Sequence, residues 1–154
     1  MTTLKETLRA DLTAAMKAKD ELRSATLRMA LTAVTNEEVA GKVARQLSDD
    51  DVLLVLGREA KKRRESAAAY DDAQRPELAD RERAELAVLE SYLPAPLSED
   101  EVVAIVDAAV AAAAADGKTG MGAMGVVMKA VTPQVQGRFD GGAVAAMVRS
   151  RLQG

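Results

Sequence analysis

The chain has 154 residues, a formal net charge of -3, no cysteine and no histidine. That length suits one domain or two small ones, and the missing residue types exclude disulfides, thiolate or imidazole catalysis, and zinc held by either group. Hydrophobic residues reach 48% but aromatics only 2% (Tyr70, Tyr92 and Phe139), so a core must come from Ala, Val, Leu, Ile and Met, a composition that predicts an all-α protein.

The first segment, MTTLKETLRADL, is charged and amphipathic, unlike a signal peptide. No uninterrupted apolar window of about 18 residues occurs, so no membrane partner is expected and the expected compartment is the cytoplasm. Leu4, Leu8, Leu12 and Met16 recur at every fourth position and predict a first amphipathic helix. Leu27, Ala30, Leu31 and Val34 mark a second, which Gly41 weakens or ends. Ser48-Asp49-Asp50-Asp51 predicts the start of a third, with Ser48 capping free N–H groups and the carboxylates at the positive end of the dipole. Its first half is apolar and its second charged, so one end is expected in the core and the other in water. A fourth helix carries Leu86, Leu89 and Leu93.

Pro94-Ala95-Pro96 predicts an extended linker, because proline disfavours a helical residue before it. The expected division is therefore a four-helix bundle over residues 1–93, a linker at 94–97, and a three-helix domain over 98–154. Ser98 and Glu101 have the spacing of a capping box for the fifth helix, which ends at Gly117. A sixth is expected from about Ala123 to Val131, with Pro133 near its end, and a seventh starts at Asp140 with Val144, Met147, Val148 and Leu152.

Two nucleotide motifs overlap in DGKTGMGAMG, residues 116–125. GMGAMG matches G-x-G-x-x-G, but that fingerprint needs a strand before it, and the preceding VVAIVDAAVAAAAAD reads as helix. A P-loop needs a glycine at position 112, which is Ala112. The glycines read instead as a helix connection, with Gly120 and Gly122 bending the chain and Gly125 letting a neighbouring helix approach. No cofactor and no metal site is expected. The acid run Asp49–Asp51 is explained by capping.

Arg58, Lys61, Lys62, Arg63 and Arg64 cluster on the third helix. They read as a solvated face with Glu59–Arg63 and Lys61–Glu65 pairs, or as a second nucleic-acid patch. The segment 121–154 holds Lys129, Arg138, Arg149 and Arg151 against one acid, Asp140, so it is locally basic within an acidic chain. Few aromatics accompany these cations, which points away from stacking on single strands and towards backbone contacts on a folded RNA, with no DNA expected.

The run MGVVMKAVTPQVQGRFDGGAVAAMVRSRL resembles the signature of the GatB/YqeY family, with Met124, Gly125, Val127, Met128, Lys129, Val131, Pro133, Gly137, Arg138, Asp140, Gly141, Val144 and Val148 in its fixed places. Upstream, KKRRESAAAYDDAQRPELADRERAELAVLESYLPAPLSEDE is also similar to that family. The resemblance implies two helical domains. It also implies kinship with the tail of the B subunit of the tRNA-dependent amidotransferase, the part that grips tRNA, while the catalytic body lies elsewhere. A non-catalytic protein that binds tRNA, or that joins a tRNA-charging or amidotransferase assembly, is the expected function. Lys129, Arg138, Arg149 and Arg151 are its candidate phosphate contacts, and Met124, Gly125, Pro133, Gly137, Asp140 and Gly141 shape the motif. Lys129 and Arg138 show no evident packing role in the sequence. The alternatives are participation in a carbon–nitrogen ligase that uses glutamine as amido donor, although no catalytic constellation is present, and a helical module that docks partner proteins.

Overall fold

The computed structural model describes residues 2–154 and contains helices but no strand among them. Seven α-helices follow in order: α1 Leu4–Lys17, α2 Glu21–Glu38, α3 Asp49–Asp72, α4 Pro76–Glu90, α5 Glu99–Ala115, α6 Met124–Val135 and α7 Gly141–Gln153. The chain divides into two compact units, Met1–Leu93 and Pro94–Gly154.

In unit 1, α1 to α4 share one core. Leu8, Leu27, Val34, Val52, Leu56 and Leu89 are fully buried there, with Ala30 and Ala60 between them. Each such Leu or Val contributes about 1.5–3 kcal/mol relative to exposure, so this aliphatic set replaces the aromatics that the chain lacks. Met16, expected on the buried stripe of α1, is half-exposed; Ala15 takes the inner position. The far half of α3 is not simply solvated either, because Arg63 and Ala67 are buried in it.

In unit 2, α5, α6 and α7 close on a core of valines: Val102, Val106, Val127, Val131, Val144 and Val148. Leu97 and Phe139 also pack on it. Within this unit Leu97, in the segment expected as an extended linker, donates from its N to the Arg138 carbonyl at 2.8 Å.

Polar side chains start most of the helices. Asp20, Ser48, Ser98 and Asp140 accept from Arg23 N, Asp51 N, Glu101 N and Ala143 N. At α5 only the Ser98 half of the expected capping box forms; the reciprocal box occurs at α1, between Thr3 and Glu6. Three helices end in the same left-handed turn. Asp20 N, Arg75 N and Lys118 N bond back to Ala15, Tyr70 and Ala113, around Lys19 (φ 57°), Gln74 (φ 59°) and Gly117 (φ 80°). Only the third of these uses glycine.

Candidate functional site

The basic run on α3 becomes a set of ion pairs. Arg58 reaches Glu37 at 3.2 Å, Lys62 reaches Glu59 at 2.9 Å and Arg64 reaches Glu90 at 3.7 Å. Arg63 is 5% exposed and lies between Glu59 (3.3 Å) and Glu85 (3.6 Å), with its second nitrogen on the Met29 sulfur. It is therefore removed from the list of accessible cations: its position on the helix faces α4, and a buried guanidinium needs its carboxylates. The Glu59–Arg63 pair forms as expected; Lys61–Glu65 is not among the ion pairs of the described residues, and Lys61 projects into solvent. The acid run is structural too. Beyond the Ser48 cap, Asp49 accepts from Leu4 N at 2.9 Å and Asp51 lies 3.5 Å from Arg45. Tyr92 donates to Asp11 at 2.6 Å and accepts from Arg23 at 3.1 Å. Burial and the adjoining carboxylate push its phenol up to about 12.

Unit 2 treats its cations unevenly. Arg138 has a structural role that the sequence did not show: its Nε donates to the Ala95 carbonyl at 3.0 Å, and its backbone carbonyl holds Leu97. Arg151 pairs with Asp107 on α5 at 2.7 Å. Asp107 lies outside the segment 121–154 whose charge balance had singled Arg151 out, and no local pattern links positions 44 apart. Arg149 is exposed, has no ion pair among the described residues, and sits about 200° around α7 from Arg151. Lys129 is likewise exposed and unpaired among the described residues. The four candidates therefore separate into two tied side chains and two free ones.

The structure also sorts the signature into two faces of α6. A 3-10 turn, Met121–Ala123, leads into this helix, which has no side-chain cap and runs on through Pro133 to Val135, beyond the expected end. Val127, Val131 and Val135 are buried, with Met124 and Met128 beside them. Gly125, Lys129 and Pro133, spaced at i, i+4 and i+8, form an exposed stripe on the other side. A Cβ at Gly125 would meet nothing within 4 Å, so the expected close approach of a neighbouring helix does not occur. Pro133 has no N–H, and the Lys129 carbonyl four residues earlier therefore lacks its helical partner. The stripe presents bare backbone at Gly125, the Lys129 ammonium and the Pro133 ring together. Elsewhere in the motif, Asp140 caps α7 and Gly137 takes φ 75° in the turn before it. Gly120 takes φ 65°, whereas Gly122, expected to bend the chain with it, lies in the 3-10 turn without a positive φ.

Among the described residues no cluster of three or more acids could hold a metal ion, and no helix is long and apolar enough to cross a membrane.

A family model described as Yqey-like protein matches residues 5–152. Two curated relatives both bear the name altered inheritance of mitochondria protein 41, mitochondrial. The one from Clavispora lusitaniae is 30% identical over 101 residues, 65% of this chain and 58% of its own length. The one from Kluyveromyces lactis is 33% identical over 97 residues, 62% of this chain and 52% of its own length. The matched stretch is thus little more than half of each of these relatives.

Proposed function

The chain belongs to the Yqey-like family, and from that premise we propose that it is a non-catalytic tRNA-binding protein, alone or within a tRNA-charging or amidotransferase assembly. Its contact surface is the outer face of α6 with Arg149. The observation that carries this reading is the stripe of Gly125, Lys129 and Pro133. A helical glycine costs about 1 kcal/mol relative to alanine, and a helical proline removes a hydrogen bond. Neither cost is offset by packing at this exposed face.

The chemistry suits a ribose-phosphate backbone. The Lys129 ammonium takes a phosphate oxygen, and its carbonyl takes a donor such as the ribose 2′-hydroxyl, the group that separates RNA from DNA. Arg149 supplies a second phosphate contact. Phe139 packs on the core and Tyr92 is held by Asp11 and Arg23, so neither serves as a platform for unstacked bases. The proposed compartment is the cytoplasm, and the name of the two relatives makes the mitochondrion the other one to test.

A mobility-shift titration with uncharged tRNA over a salt series tests the reading. Retention at low salt is expected, and Lys129→Gln should lower the slope of log K against log salt by about 1. Absence of retention at low salt rejects it. A second reading, docking of a partner protein, is favoured by Met121 (45% exposed) and Val126 (41% exposed), which stand in water near the start of α6. Capture of a protein that survives nuclease and high salt, and fails with Val126→Asp, would support that reading over RNA.

A further inference from the structure

Unit 1 contains a groove of about 830 Å³ that the signature segment does not touch, a volume that suits a small organic ligand. Ser24, Lys19, Arg28 and Arg81 line it, with the half-exposed Met16 as an apolar wall. Ser24 is 5% exposed, yet its hydroxyl has no hydrogen-bond partner among the described residues. The only buried side-chain polar atom without a partner among the described residues is Arg63 Nε, so the Ser24 oxygen is an accessible one that opens onto the groove. Lys19 and Arg28 have no carboxylate within ion-pair distance among the described residues, and Arg81 has only Glu85, at 3.5 Å. Ser24 and Arg28 are one turn apart on α2 and so share a face. Lys19 holds the left-handed position that Gly117 fills at the end of α5, which sets a cation beside the first turn of α2. That turn points the positive end of the helix dipole at the same space, and the amides of Glu21 and Leu22 have no intrahelical acceptor.

Two acids complete the lining, Asp20 and Glu21. One oxygen of Asp20 caps Arg23 N, at 3.1 Å, and the other is free to accept. Lys19, Arg28 and the amide end of α2, with Arg81 shared with Glu85, favour a ligand that carries an anionic group, while Asp20 and Glu21 require that it also carry donors. We propose that this groove binds a phosphate monoester that bears hydroxyl groups. The phosphate sits against Ser24, Arg28, Arg81 and Lys19, and the hydroxyls donate to Asp20 and Glu21. The assignment is independent of the RNA surface on unit 2.

The test is a titration of the full ¹⁵N-labelled chain followed by amide shifts at constant ionic strength, with ribose 5-phosphate, inorganic phosphate and ribose as probes. Ribose 5-phosphate should give saturable shifts confined to residues 16–28 and the amide of Arg81, and it should bind several-fold more tightly than inorganic phosphate. Ribose alone should be silent. Arg28→Gln and Ser24→Ala should each weaken the binding at least fivefold, and Lys42→Gln, at an exposed cation remote in sequence, should leave it unchanged. Arg28 is exposed, so its variant should keep the wild-type spectrum outside the groove. Shifts that do not saturate, or that persist in Arg28→Gln and Ser24→Ala, overturn the site. Inorganic phosphate binding as tightly as the ester overturns the role given to Asp20 and Glu21.

Discussion

The two units use charge in opposite ways. Unit 1 spends its cations on its own acids: Lys5 on Glu38, Arg58 on Glu37, Arg63 on Glu59 and Glu85, Arg64 on Glu90, and Arg83 on Asp71. Unit 2 forms one ion pair among its described residues, Arg151 with Asp107, and builds its core from valine without a buried charge. A dense basic run is therefore the weaker sign of a polyanion surface in this molecule. In unit 2 Lys129 and Arg149 are left in water, whereas in unit 1 the exposed cations without an ion pair among the described residues include Lys19, Arg28 and Lys61.

The variant that bears hardest on this contrast is Arg63→Met. Removing one member of a buried ion pair typically costs about 3–5 kcal/mol, and Lys62 and Arg81 remain to shield the two stranded carboxylates, so a loss of about 3 kcal/mol is expected. Denaturant unfolding followed by circular dichroism measures it, and tRNA retention should survive wherever the variant is folded. A loss of retention without a loss of stability would return Arg63 to the list of contacts.

A smaller effect belongs to Tyr92, whose hydroxyl joins α1 and α2 to the segment after α4. Tyr92→Phe should cost about 1 kcal/mol, the usual net worth of such bonds. Its phenol is raised from 10.0 to about 12, first by burial and then by its bond to Asp11. The folded state thus prefers the neutral phenol more than the unfolded chain does. That stability is complete below about pH 10 and is lost as pH rises towards 12, so the alkaline fall in stability should shrink in Tyr92→Phe.

Glu38 gives the opposite pH sign. Its carboxyl lies below the usual range, mainly through the bond from the Lys5 ammonium and against an opposing effect of desolvation. Stability from this group is present above the ordinary glutamate pKa and is lost as pH falls through the lowered one. The Leu47 amide, which donates to Glu38 Oε2, should shift in that acid window in the wild type and not in Glu38→Gln.

The smallest expected change in stability is at Gly125. Gly125→Ala meets no atom within 4 Å and should stabilise unit 2 by about 0.5–1 kcal/mol. If bare backbone is what the stripe offers, tRNA affinity falls while stability rises. A parallel gain in both would show that the glycine has no part in contact.

Local physics made much of this readable in advance. Ser48, Ser98 and Asp140 start helices because a side-chain oxygen reaches an amide three residues on, a relation contained in a few letters. Val144 and Val148 of α7 are buried as their helical spacing predicts. The Gly125, Lys129 and Pro133 spacing was equally visible, but as parts of a signature and not as a face of their own.

The sequence by itself determined that the chain is helical, where most helices begin, and which family motif it carries, because caps, propensity and i, i+4 periodicity act within a turn or two. Only the tertiary structure decided which charges are free. Arg63 is buried by Glu85, Arg138 is tied to Ala95, and Arg151 is neutralised by Asp107, each from another segment of the chain. Coulomb attraction and burial depend on distance in space, and nothing in the spacing of the letters encodes which helix folds against which.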